Sequence, residues 1–562
     1  MNPNPKNKYK PYRPVNLINR SWPNRVQQNA PQWCSVDLRD GNQALATPMS
    51  ISQKLEMFLA LVKIGFKEIE VGFPSASETE FAFNRCLIEG GHIPDDVSIQ
   101  VLVPAREALI ERTFQSLLGA KRVIIHMYNS TSPAQRRVVF GKSKQEIIDL
   151  AIQGARMIYE RLPLLKGTEV TLQYSPESFS LTEVEYAKEV AEAVMSVWCP
   201  TPARKMILNL PETVEVAPPN VYADQIEWMC QHIQNRTALR VSLHTHNDRG
   251  TGVAAAELGL LAGAERVEGT LFGNGERTGN LDIVTMALNL YMQGIDPQLD
   301  FSELPDVVSM YQRCTGMQVP PRHPYAGELV FTAFSGSHQD AIRKGLVEWK
   351  HNQGQGTWDV PYLPIDPQDI GRDYQVIRIN SQSGKGGVSY LLENGCGIEV
   401  PKSLQPELGA LVTAKVDQLG TEIDALAIRA LFWREYVNVQ YPLALQDTVT
   451  TAFKGGVRCQ LTISEGGPAR TLQGEGNGPL AAFVRGLTRI CGELEVVSYH
   501  EHAIGQGTAA EAIAYVELKV QNNTISWGAG VSSSIEKASF YAVISALNRA
   551  RPALLKSLQP VR

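Results

Sequence analysis

Arg240-Val241-Ser242-Leu243-His244-Thr245-His246-Asn247-Asp248 opens as an apolar run, closes on polar side chains, and is followed within a few residues by the helix-like stretch Gly252 to Ala262. A short buried strand ending in a polar rim and feeding a helix is one βα round. Working outward, further strand candidates begin near Trp33, Glu68, Val97, Arg122, Glu169, Lys205 and Arg266. Amphipathic stretches such as Ser50 to Gly65, Lys144 to Arg161 and Thr182 to Trp198 lie between them. Eight rounds in about 265 residues predict an α/β fold built on a (β/α)8 TIM barrel, with a doubly wound open sheet as the alternative.

Such barrels gather their chemistry at the C-terminal ends of the strands. Those positions hold Arg39 and Asp40, His126, then Tyr174, Ser175 and Glu177, then Asn209, Glu212 and Thr213, then His244 and His246, and finally Asn274, Glu276 and Asn280. His244 and His246 share one face of their strand because side chains two apart point the same way. Two neutral imidazoles with the carboxylate of Asp40 suit a divalent ion and leave coordination positions open, although a hydrogen-bonded histidine pair gives the same spacing. Arg39, next to Asp40, either forms an ordinary ion pair or meets negative charge developing on a substrate oxygen. Glu177 reads as an acid/base or orienting group, or as a plain loop carboxylate. His338, in Phe334-Ser335-Gly336-Ser337-His338-Gln339-Asp340, falls outside the barrel count and on local grounds passes for a loop histidine.

The 562 residues exceed one hydrophobic core and call for two to four domains. With 43% apolar residues, 20% charged residues and a net charge of -5, the composition is that of a soluble globular protein with no broad attraction for nucleic acid or anionic membranes. Cysteines 34, 86, 199, 230, 314, 396, 459 and 491 form no Cys-x-x-Cys pair, and they read as buried free thiols in a reducing compartment. Met1 to Arg25 lacks an apolar signal core, and no window is apolar enough to span a membrane, so a cytoplasmic chain with an extended arm is expected.

The expected organisation is an arm over 1–30, the catalytic barrel over 31–325, small linker subdomains over 326–428 and an α+β regulatory domain over 429–562. The linker region carries Pro-rich stretches and the glycine cluster Ser381-Gln382-Ser383-Gly384-Lys385-Gly386-Gly387. In the tail, Thr471 to Gly476 and Ile525 to Gly530 each pass from a strand into a Gly-x-Gly turn and then a helix, which suggests a two-fold repeat. The run Gly474-Glu475-Gly476-Asn477-Gly478-Pro479 is either a tight turn or a cradle for phosphate or carboxylate; it lacks the Lys-Ser/Thr ending of a P-loop.

Val36-Asp37-Leu38-Arg39-Asp40-Gly41-Asn42-Gln43-Ala44-Leu45, with His244 to Asp248 and Phe272 to Asn280, closely resembles the isopropylmalate synthases, and the resemblance runs over nearly the whole chain. They sit within a wider group of metal-dependent barrel enzymes that includes homocitrate synthase, citramalate synthase and hydroxymethylglutaryl-CoA lyase. The resemblance implies an acyltransferase joining acetyl-CoA to 3-methyl-2-oxobutanoate in leucine biosynthesis, with leucine as feedback inhibitor. It implies a Mg, Mn or Zn ion on Asp40, His244 and His246 with Asn280 nearby, and potassium as a candidate activator. Arg39 would stabilise the alkoxide, Ser175 and Thr213 would contact the keto acid, and His126 and Asn209 would line its pocket. Glu177 and His338 would generate the acetyl-CoA enolate, against the local reading of His338, and Tyr374 would assist. Gly474, Gly476, Asn477 and Gly478 would belong to the leucine site, and a homodimer exchanging its arm is implied. The rival readings are a related acetyl-CoA-dependent synthase, homocitrate or citramalate synthase, and a 3-hydroxyacyl-CoA lyase using the same metal.

Overall fold

The computed structural model describes residues 14–557, apart from 334, 353, 375–384, 420–422, 424, 506–509 and 521–522. Most of the glycine cluster and the first part of the arm therefore lie outside the described residues.

Eight parallel strands close into a barrel in chain order: β1 Gln32–Ser35, β2 Glu68–Gly72, β3 Ser98–Pro104, β4 Arg122–Ser130, β5 Glu169–Glu177, β6 Met206–Glu212, β7 Leu239–Thr245 and β8 Arg266–Gly269. The order excludes the open-sheet alternative. Around it run α1 Ile51–Ile64, α2 Glu78–Glu89, α3 Glu107–Leu117, α4 Lys144–Arg161, α5 Val184–Trp198, α6 Pro219–His232, α7 Gly252–Leu261 and α8 Ile283–Met292. Outward-facing strand residues such as Ile69 and Val71 and inward-facing helix residues such as Phe58 and Leu61 are fully buried. Each such side chain contributes about 1.5–3 kcal/mol of hydrophobic stabilisation. Helices start where a cap is encoded: Ser50 and Ser143 each accept the backbone N–H three residues on, while Gln53 and Glu146 bond back.

The barrel interior departs from the usual layers of Val, Ile and Leu. Glu70, Gln100, His126, Gln173, Asn209, His244 and Glu268, one from each of β2 to β8, are buried polar residues.

The chain divides into two compact units, one of residues 1–330 with 365–373 and the other of 331–364 with 374–562. The second unit contains α10 Gly336–His351, α11 Lys385–Cys396, α12 Gln405–Leu419 and α13 Ala425–Tyr436, after α9 Leu304–Thr315 in the first. It ends in two antiparallel three-stranded sheets: β9 Ala444–Phe453, β10 Gly456–Ser464 and β11 Arg470–Gly476 leading into α14 Pro479–Cys491, and β12 Glu495–Ile504, β13 Glu511–Val520 and β14 Thr524–Ser532 leading into α15 Ile535–Ser557. The expected repeat is thus a βββα unit used twice. The glycines, however, are not in turns. Gly474 and Gly476 lie within β11, and a Cβ on Gly474 would fall 2.1 Å from the carbonyl oxygen of Ala482 in α14. They let the helix backbone rest directly on the strand.

All eight cysteines are free, but not all are buried. Cys199 is exposed because it occupies the left-handed position that ends α5, where the chain leaves the core. Among the described residues no helix is long and apolar enough to cross a membrane.

Candidate metal centre and substrate cavity

At the end of β1 the chain tightens into the turn Asp37–Gly41, where the carbonyl of Val36 accepts the N–H groups of Arg39, Asp40 and Gly41. Asp37 pins this turn to the loop after β8 by accepting the Leu271 N–H at 3.0 Å. The result turns Arg39 and Asp40 toward the barrel mouth. On β7 the two-residue period carries His244 and His246 inward, while Thr245 bonds outward to the carbonyl of Gly252.

Asp40 Oδ2 lies 3.2 Å from His244 Nε2 and 3.9 Å from His246 Nε2, and one donor atom from each of the three residues falls within 4.8 Å of the others. Both Nδ1 atoms are engaged elsewhere. His244 Nδ1–H donates to Glu268 Oε2 at 2.8 Å, and His246 Nδ1–H donates to the carbonyl of Gly279 at 3.2 Å. That fixes the tautomer that leaves each Nε2 lone pair for an ion. Gly279 holds φ at +103°, and a Cβ there would collide with the Gly273 carbonyl, so the hairpin carrying this acceptor depends on glycine.

The electrostatics also suit a cation. Asp40, Glu70, Glu268 and Glu68 face Arg39, Arg266 and Arg240, leaving an excess of one carboxylate. Burial opposes charge on His244, but hydrogen bonds to Asp40 and Glu268 push its pKa up to about 9. Burial and the neighbouring charge on His244 push His246 down to about 4. Burial works against ionising Asp40, yet Arg39 and His244 hold its carboxyl well below the usual carboxylate range. The proton on His244 occupies a nitrogen that a divalent ion would claim, and the ion would supply the missing positive charge. Asn280 forms a backbone bridge to His246, and its buried Oδ1 has no hydrogen-bond partner among the described residues. The donor set and this orphaned acceptor fit a divalent metal.

Above these ligands lies a cavity of about 300 Å³. Of the ten barrel residues to which the resemblance gives a role, nine line it: Arg39, Asp40, His126, Ser175, Glu177, Asn209, Thr213, His244 and His246, joined by Glu276 from the other strand-end positions. Arg39 is held by Asp40 at 2.8 Å and by Glu70 at 2.5 Å. His126 bonds Glu70 through Nδ1 at 2.7 Å and meets Ser175 Oγ through Nε2 at 2.7 Å. Asn209 donates to the same Ser175 oxygen at 3.0 Å. Glu177 is held by Ser130, and Thr213 Oγ1 accepts the Ser178 N–H at 2.9 Å. His338 and Tyr374 belong to the second unit, where His338 is exposed and stacks on Tyr362 with ring centroids 4.0 Å apart.

Sequence reasoning passed over Glu70 and Glu268, which anchor most of these groups. Both fall within the strand runs themselves, and the available signal was a carboxylate at an inward-facing strand position. Tyr128, Gln43 and Arg277 also line the cavity unannounced.

Residues 30–310 match the family model described as HMGL-like, 328–393 match "Alpha-isopropylmalate synthase, post-catalytic domain-like", and 422–551 match "LeuA allosteric (dimerisation) domain". The chain is 53% identical over 547 residues to the 2-isopropylmalate synthase of Acetoanaerobium sticklandii, covering 96% of each protein, and 54% identical to that of Pseudomonas entomophila, covering 97% of each. It belongs to the 2-isopropylmalate synthase family. Members are metal-dependent, transferase-type enzymes. Among solved structures, the HMG-CoA lyase from Brucella melitensis is similar over 52% of this chain and 100% of its own, at 18% identity and a TM-score of 0.42.

Proposed function

We propose that this synthase-family chain condenses acetyl-CoA with 3-methyl-2-oxobutanoate and hydrolyses the resulting thioester, giving 2-isopropylmalate and CoA as the first committed step of leucine biosynthesis. The observation that carries the reading is one cavity, in a chain of this family, where three side chains able to hold a metal meet a guanidinium and a hydroxyl-lined wall.

Asp40, His244 and His246, with Asn280 beside them, would hold Mg, Mn or Zn. When bound, such an ion supplies Lewis acidity that makes a keto-acid carbonyl more electrophilic. The chain's own groups do the rest. Ser175 and Thr213 orient the keto acid, and His126 and Asn209 close the pocket around its branched end. Arg39, braced by Asp40 and Glu70, meets the negative charge that forms as the carbonyl carbon is attacked. Glu177 and His338 take the proton from the acetyl methyl, a weak carbon acid that needs a close base and little water, and Tyr374 assists. Thioester hydrolysis then makes the sequence irreversible, which is where feedback control is effective.

The domain roles follow: barrel 31–325 for catalysis, 326–428 as linker, and 429–562 for leucine, with Gly474, Gly476, Asn477 and Gly478 in its site. The working form is a cytoplasmic homodimer, and potassium is the candidate activator. A panel of 2-oxo acids, each given acetyl-CoA while free thiol is followed, tests the reading. The highest kcat/KM is expected for 3-methyl-2-oxobutanoate; a preference for 2-oxoglutarate or pyruvate, or cleavage of a 3-hydroxyacyl-CoA without condensation, overturns it.

A further inference from the structure

We propose that Glu268 is the positioning residue that sets the strength of the metal centre, acting through His244 without touching the ion; this rests on the metal reading above. Its two oxygens have separate tasks. Oε1 accepts from Arg266 Nη1 at 2.7 Å, Gln173 Nε2 at 2.7 Å and Gln100 Nε2 at 3.0 Å, so three donors from three strands lock the carboxylate. Oε2 accepts from His244 Nδ1 at 2.8 Å and from Asn209 Nδ2 at 3.2 Å.

The barrel register makes this arrangement rigid. His244 and Glu268 are paired neighbours on β7 and β8, so neither can shift without disturbing the sheet. A carboxylate on the far nitrogen of a ligating imidazole fixes the tautomer, aims the ring and raises the electron density at the ligating nitrogen. His246, by contrast, has only the neutral Gly279 carbonyl at the same position. The two imidazoles are therefore unequal: His244 is the stronger ligand, and Glu268 makes it so. Because Asn209 bonds both Glu268 and Ser175, the same carboxylate also steadies that part of the cavity wall.

The test uses the full-length protein stripped of metal and titrated calorimetrically with Mn and then with Zn, in parent and Glu268→Gln forms, with circular dichroism and melting of each apo-protein alongside. Glutamine keeps the shape but gives up the charge. The variant is expected to bind both ions 10- to 100-fold more weakly while its apo spectrum matches the parent's. Equal affinities in a folded variant overturn the role of Glu268; a parent that takes up no divalent ion overturns the metal reading itself. If the variant does not fold, the parent loaded with cadmium-113 decides by NMR. Coupling to His244 Nε2 with a downfield, hydrogen-bonded Nδ1 proton is expected, and coupling to Nδ1 overturns the proposal.

Discussion

At the end of β6, Glu212 is a fully buried carboxyl whose two oxygens have no hydrogen-bond partner among the described residues. Burial, with repulsion from Glu215 and Asp248, pushes its pKa up to about 8, so it is mostly neutral at pH 7. Its folded pKa is above its unfolded one, so the folded state holds the extra proton. The stability from that proton is complete below pH of about 4.3 and is lost as pH rises through about 8, at up to ~1.4 kcal/mol per pH unit. Glu212→Gln removes the titrating group and with it this loss. The variant is expected to melt higher than the parent at pH 9, with the gap shrinking steadily toward pH 5; parallel curves would mean that Glu212 is charged in the fold. The same physics separates His244 from His246, since carboxylate partners outweigh burial at His244 but not at His246.

The paired sheets of the second unit depend on backbone contact between strand and helix. Gly528 and Gly530 repeat in β14 what Gly474 and Gly476 do in β11: a Cβ on Gly528 would stand 2.2 Å from Ala546 N and 2.3 Å from Ala542 O, both in α15. Neither neighbour is a flexible side-chain end, so the helix must lift. Gly528→Ala is expected to cost about 1–3 kcal/mol as an overpacked contact, seen as earlier urea unfolding of Trp527 fluorescence; an unchanged midpoint would show that α15 can give way. These glycines read as turn residues in the sequence because Gly-x-Gly before a helix has the same letters in either case, and only the distance to the helix tells them apart. The barrel strands were more legible. All eight begin within one residue of the position expected, since parallel strands covered on both faces are bounded apolar runs. The site was legible where it lies on strand ends. It was hidden at Glu70 and Glu268, whose partners come from five other strands and are neighbours only after closure.

On the scale of the whole molecule, each unit has its own apolar interior. In the second, Phe432, Tyr436, Tyr515 and Trp527 form one cluster, and Phe483 stacks on Phe540 at 4.3 Å in another. Two cores allow two ligands to stabilise different parts of one chain. A ligand that binds only the folded form adds RT ln(1 + [L]/Kd), about 2.7 kcal/mol at a hundred times Kd, and slows exchange of amides whose opening would release it. Hydrogen exchange on the intact protein, with manganese or leucine added separately, reads both effects. Manganese is expected to protect the segments around Asp37–Gly41 and His244–His246, because an ion shared by Asp40, His244 and His246 would tie the turn after β1 to the end of β7. Leucine is expected to protect Arg470–Gly476 and the start of α14, where Gly474, Gly476, Asn477 and Gly478 lie. Leucine protection confined to the barrel would place leucine among the substrates and remove the second unit from its recognition. Protection of the second unit that disappears in Asn477→Ala, whose exposed side chain does not hold α14 on its strand, with manganese protection of the barrel intact, would tie leucine to the strand-to-helix junction that the repeat builds.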